Sequence, residues 1–400
     1  MVLGFVPCLI LTVFTPLAGQ DDRLPYEARY NDNLLYLHAL VGYEFDLWNE
    51  FDWERRRVST NSLRLSYGSV DTRDLLIDAD LRINQPLGDG WLFIGQYREY
   101  SGLHVQLQQR DFWAGFEKNL SSGFSAFFRL DPSFDKELFD AELGLSLSNA
   151  SREQYLRLAF QFEDFAYENK NDVGGVSEGD PLGVRWLMRV GGGGVWVTSD
   201  GEWNGGFLRK FEDLEKSPEL RSFEQEENQG TLRLYYQPGT RWLLEVSGHH
   251  YRFSETKSYH GGGGDDYRYR NHVSLLGVRY AWNPGTGHGI RAGLQRVWQD
   301  ATASGFRPFE YDRSEWLPSV FYSYSGDDHS VELGYMGSLY SWDFDDRSGV
   351  DSFAAEDITE KAKVGYTYRF SEQGSIHLSL SHVFSASGFG GAGVQFQLGF

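Results

Sequence analysis

From about residue 61 to the last residue, apolar and polar side chains alternate with a period of two, segment after segment. In Leu75-Leu76-Ile77-Asp78-Ala79-Asp80-Leu81-Arg82-Ile83 every odd position is apolar and the charges fall on even positions. A helix would scatter those charges around its surface, whereas a strand gathers them on one face. The pattern returns at Phe139–Leu147, Leu156–Phe162 and Ala362–Phe370. So persistent a period predicts an all-β fold built from many antiparallel strands.

The first 19 residues are different material. Met1 to Gly19 carries no charged side chain, Val2–Phe14 is almost wholly apolar, and Leu17-Ala18-Gly19 precedes Gln20-Asp21-Asp22. That reads as a signal peptide over 1–19, with cleavage near Gly19. Pro7 and Pro16 and the short length argue against a spanning helix. No Lys or Arg precedes the apolar core, and Gln20 stands where a lipoprotein site needs Cys. The single Cys, Cys8, lies inside the leader, so the expected mature chain has no disulfide and no thiol chemistry. Beyond residue 20 there is no apolar run of about 18 residues, as a transmembrane helix requires. A membrane β-strand needs only about 9–11 alternating residues.

The net charge is −20, which excludes nucleic acid as a partner class, because phosphate binding needs a basic surface. The last segment, Val394-Gln395-Phe396-Gln397-Leu398-Gly399-Phe400, alternates cleanly and ends in an aromatic residue. It resembles the closing strand of bacterial outer-membrane β-barrels. The resemblance implies that Phe400 is an assembly signal read by the barrel assembly machinery. It also implies a cell outer membrane location, in contact with the lipid bilayer and lipopolysaccharide.

Counting back from Phe400 gives 18 candidate strands over 61–400, with 16 as the alternative count. The expected fold is therefore an antiparallel transmembrane β-barrel. Short turns fall at 237–240, 283–286, 326–327 and 372–374, and long loops at 167–182, 203–228, 254–267, 300–313 and 344–358. In such barrels short turns are periplasmic and long loops external. Trp242 and Trp282 beside Pro-Gly turns, and Trp298, Tyr340 and Trp342 near long loops, suggest two interfacial girdles. A soluble sandwich would share the alternation but has no reason for such long strands. Residues 20–60 stand outside the count, as a periplasmic or lumen-resting segment; Asn33–Phe45 is apolar on both strand faces.

Phasing each strand by its apolar face assigns fourteen basic residues to the lumen: Arg64, Arg82, Arg98, Arg110, Arg129, Arg157, Arg185, Arg189, Arg233, Arg279, Arg291, Lys361, Lys363 and Arg369. The seven acids on the same face are Asp78, Asp80, Asp140, Glu142, Glu163, Glu245 and Glu332. The acid excess is then expected in loops, turns and the N-terminal segment. An Arg-lined lumen can select anions; equally, such charges can pair across it. The acidic loops have no ordered Ca²⁺-ligand spacing, and Gly191–Gly194 and Gly261–Gly264 lack the context of nucleotide loops. No cofactor or metal is implied.

About 16–18 strands leave an aqueous lumen. The leading expectation is a non-enzymatic, porin-like channel for hydrophilic solutes, anionic ones among them, or for a polyanionic polymer. Size and Arg bias are similar to those of alginate-type exporters and small specific porins. Two rivals stand beside it: a barrel that sheaths a periplasmic protein such as a cytochrome, and a rim enzyme acting on lipid through Ser247 and His249.

Overall fold

The computed structural model describes residues 47–69, 75–102, 108–131, 140–162, 175–177, 182–205, 207–211, 220–259, 266–305, 308–347, 352–384 and 388–400. A single helix in this range, α1 (Leu47–Arg56), precedes the strands. The first nine staves are β1 (Ser62–Ser69), β2 (Leu75–Gly88), β3 (Trp91–Gly102), β4 (Gln108–Ser121), β5 (Phe124–Asp131), β6 (Asp140–Ser148), β7 (Tyr155–Phe162), β8 (Leu182–Gly192) and β9 (Val195–Asn204). The other nine are β10 (Leu220–Tyr236), β11 (Trp242–Tyr259), β12 (Tyr267–Trp282), β13 (His288–Ser304), β14 (Phe309–Ser325), β15 (His329–Asp346), β16 (Ser352–Ser371), β17 (Gly374–Val383) and β18 (Gly388–Gly399). Two short pieces, Gly175–Ser177 and Phe207–Phe211, pair with each other beyond the β8–β9 hairpin and add no stave. Each stave pairs antiparallel with its sequence neighbour, and β18 pairs with β1, so the sheet is an 18-stranded closed barrel. Closure is in register: Leu63 lies opposite Leu398, Tyr67 opposite Val394, and the Phe400 amide donates to the Asn61 carbonyl at 3.0 Å. No backbone edge is then left unpaired along the seam, which lipid would not tolerate.

Outward positions carry the apolar face. Leu145, Leu276, Leu333 and Leu380 are all more than half exposed. Aromatic rings bound this belt: Trp282 and the stacked His329 and Tyr368 at the short-turn end, Trp298 and Trp316 at the other. Outward apolar side chains between aromatic girdles are what a bilayer stabilises and water does not. The short turns are tight; Gly193 (φ 62°) and Gly194 (φ 87°) supply the left-handed conformation that turns β8 into β9.

β10–β16 are longer than the sequence suggests, at 16 to 20 residues. Most of the segments expected as loops at 203–228, 254–267, 300–313 and 344–358 are strand. The reason is an inversion of polarity along the strand. In β12 the outward residues run Trp282, Tyr280, Val278, Leu276 and then Ser274, His272, Arg270 and Arg268. The inward residues change the opposite way, from Arg279 to Val273, Tyr269 and Tyr267. Beyond the membrane belt the barrel becomes an ordinary aqueous β-structure with its apolar face inside. There Tyr267, Tyr269, Ala301, Ala303, Phe309, Tyr311 and Phe344 pack as one cluster, with Trp342 against it. Tyr340 and Trp342, expected in the outer girdle, belong to inward-facing positions of β15.

Candidate functional site

α1 sits inside the barrel at the short-turn end. Its sequence favours a helix there: Leu47 and Phe51 are one turn apart, Glu50 lies in the first turn, and Arg55 and Arg56 in the last. Leu47 and Phe51 pack on Tyr235, Leu243 and Ala281 of β10, β11 and β12. The Phe51 ring meets Tyr235 edge-on at 5.1 Å, and the Arg189 guanidinium lies over it at 5.0 Å. On the other side Trp53 lies beneath the guanidinium groups of Arg64 and Arg82, at 5.3 and 4.9 Å. The Tyr155 hydroxyl donates to the Glu54 carbonyl at 2.9 Å.

Charge fixes the same helix. Arg279 on β12 donates to Glu245 at 2.6 Å and to Glu50 of α1 at 2.5 Å. Burial pushes the Glu50 carboxyl up from its ordinary range; Arg279 opposes that rise and nearby Glu245 adds to it. Just past α1, Arg57 reaches Asp200 on β9 at 3.6 Å. The helix leaves an opening between Asp52 and Arg56 on its own flank and Thr367, Arg369, Ser375 and Gln397 on the wall, with about 680 Å³ of open space.

Above α1 the wall carries a row of ion pairs running across strands. Arg129 and Arg185 both donate to Glu142, the latter at 2.9 Å. Arg185 also reaches Glu202 at 2.8 Å, and Gln229 donates to Glu202 at 2.6 Å. Glu117 accepts from Ser125 at 2.8 Å, Arg152 at 2.6 Å and Arg157. Arg82 pairs with Asp80, Arg64 with Asp78 at 4.0 Å, Arg233 with Asp200 at 3.6 Å and Arg291 with Glu332. Charged groups are tolerated inside the barrel because opposite charges pair there.

Asp140, Lys361 and Lys363 are also buried at inward positions, and Arg369 lines the opening beside α1. Arg189 donates to the Glu153 carbonyl at 2.9 Å and lies 4.2 Å over Trp196. The side chain of Arg110 lies outside the described residues. Glu163, residues 1–46 and the proposed cleavage near Gly19 lie outside the described residues.

The sequence reading missed Glu117, Asp131, Asp200, Glu202 and Glu315, all inward acids. They bring the lumen close to charge balance, so the acid excess is not confined to loops. Glu117 follows Phe116 in a strand with aromatics on both faces, Asp200 and Glu202 border the expected loop 203–228, and Glu315 borders 300–313. His249 faces inward, within hydrogen-bond distance of Thr231 at 3.0 Å. Among the described residues no group of three or more His, Cys, Asp or Glu is placed to hold a metal ion.

No family model and no curated protein matches this chain. Solved structures of outer-membrane barrels do. OmpT of Vibrio cholerae, expressed in the outer membrane, is 12% identical with a TM-score of 0.41, covering 85% of this chain and 96% of its own. A bacterial polysaccharide outer membrane secretin is 12% identical with a TM-score of 0.40, covering 86% and 98%. A porin is 10% identical with a TM-score of 0.32, covering 85% and 99%. Likeness at this level assigns neither substrate nor activity.

Proposed function

We propose that this protein is a channel of the outer membrane whose aqueous lumen is narrowed at the periplasmic mouth by its own helix α1. The observation that carries the reading is the polar, charge-paired lumen behind an apolar outer belt, with an opening left beside α1 at Asp52, Arg56 and Arg369. An 18-stranded barrel is wide enough to hold water as well as one helix. The solute is small and hydrophilic, because the lumen wall offers hydrogen bonds and charges rather than a continuous apolar track. Net selectivity among ions is weak, since inward acids nearly match inward bases. A barrel that sheaths a periplasmic partner is less well supported, because α1 occupies the mouth through which that partner would enter. Ser247 and His249 serve no rim hydrolase in this reading; His249 faces Thr231 within the lumen.

Liposome swelling with purified protein tests this. Small neutral sugars should enter, and sugars too large for the opening beside α1 should not. Liposomes that do not swell in any small solute would refute the channel.

A further inference from the structure

Between α1 and the mid-depth wall lies a recess with about 1190 Å³ of open space. Arg57, Arg82, Arg98, Arg129, Arg157 and Arg185 line it, against two acids, Asp200 and Glu202. The carboxylates that pair with four of these arginines are elsewhere. Asp80, Glu117 and Glu142 are at most 4% exposed, sit behind the guanidinium groups and do not line the space. Three carboxylates are thus withdrawn into the wall, while Asp200 and Glu202 stay on the lining beside the six arginines. A solute in the recess meets a positive surface although the lumen as a whole is near balance.

Arg98 differs from the other five. Among the described residues it makes no hydrogen bond and no ion pair, while each of the others has a carboxylate partner. Guanidinium groups match the planar or tetrahedral oxygens of carboxylate and phosphate better than a spherical halide, because two N–H groups engage two oxygens together. Trp113 and Phe127 are among the apolar residues of the lining, and the Trp113 ring carries Arg129 at 5.5 Å and Arg185 at 5.2 Å.

We infer that this recess is a binding site for a small oxyanion, a carboxylate or phosphate group, with Arg98, which has no hydrogen-bonded or ion-paired partner among the described residues, as its cation. The inference deepens the channel reading and rests on it only for its use, as a waypoint for an anionic solute. The site itself rests on the six arginines of the lining against two acids and on the lack of a direct partner at Arg98.

The test is calorimetric titration of the full-length protein in detergent with inorganic phosphate, at constant ionic strength set with chloride. Acetate and a short polyphosphate are run in parallel. Saturable phosphate binding is expected, weakened about tenfold or more by Arg98→Gln and unchanged by Arg369→Gln, which lies outside the recess. Heat-modifiability on a gel confirms that each variant is folded. No saturable binding of phosphate or acetate, or equal binding by Arg98→Gln, would overturn the site. Binding of polyphosphate alone would overturn it too, in favour of a polymer track. The outcome is separable from the channel reading: protein that swells liposomes but binds no phosphate removes the site and leaves the channel, and the reverse result removes the channel.

Discussion

Arg279 and Glu50 are 229 positions apart in sequence and 2.5 Å apart in space, and their hydrogen bond ties the helix to the barrel wall. Removing Glu50 leaves Arg279 with Glu245, so the wall stays satisfied and only the tether is lost. Glu50→Ala is therefore expected to free α1 without weakening the barrel. Bilayer recordings should show higher mean conductance with an unchanged heat-modifiable band. Loss of the folded band would show instead that the helix is part of the barrel's stability.

The raised Glu50 carboxyl gives this tether a pH dependence with a definite sign. The docked helix holds the Glu50 proton more tightly than an undocked one, so docking takes up a proton. Docking is favoured as pH falls. It weakens as pH rises from the ordinary carboxylate range through the raised value, where Glu50 becomes charged beside Glu245. Mean conductance should rise with pH across that window, and Glu50→Gln should flatten the profile. A conductance that falls as pH rises would contradict the assignment.

Phe51 holds the other face of the anchor, against Tyr235 and under Arg189. Phe51→Ala removes a buried aromatic side chain, a change that costs about 3–5 kcal/mol in well-packed sites. The expected readout is faster proteolytic removal of the N-terminal segment from folded protein, with the barrel resistant. Unchanged protection would mean that α1 is held by charge alone.

The barrel was legible in the sequence because outward leucines and inward charges alternate cleanly in β2, β6 and β7. The stave count followed from the turns, and the closing strand from Val394–Phe400. What lay hidden has one physical cause. Alternation marks two faces but does not say which is inside, and in β10–β16 the apolar face switches sides beyond the membrane. Tyr311 and Phe344 therefore read as loop residues, and Tyr340 and Trp342 as girdle residues, when they face the interior. The seat of α1 was hidden for a different reason: Glu50, Phe51 and Trp53 find their partners on strands up to 229 positions away, and no local pattern encodes such contacts.

The inverted outer half can be tested by itself. Phe309 and Tyr311 are buried in the aromatic cluster, at 3% and 0% exposure. Phe309→Ala should lower the unfolding temperature, at a cost of about 3–5 kcal/mol, while membrane insertion is kept. Trp298→Ala, at the belt's outer edge, should act more weakly. Equal effects would argue that the cluster faces outward.

Phe400 adds a backbone hydrogen bond to Asn61 at the end of the seam, and it is 60% exposed. Replacing Phe400 with Asp should reduce folded yield in the membrane fraction. A normal yield would count against the terminal residue as an assembly signal.

The central claim is a water-filled barrel narrowed by its own helix. Single-channel conductance across a planar bilayer, for the full chain and for a chain lacking residues 47–56, tests it most directly. The full chain should conduct weakly and the shortened chain several-fold more, with weak ion selectivity. Equal conductance, or none in either chain, would contradict it.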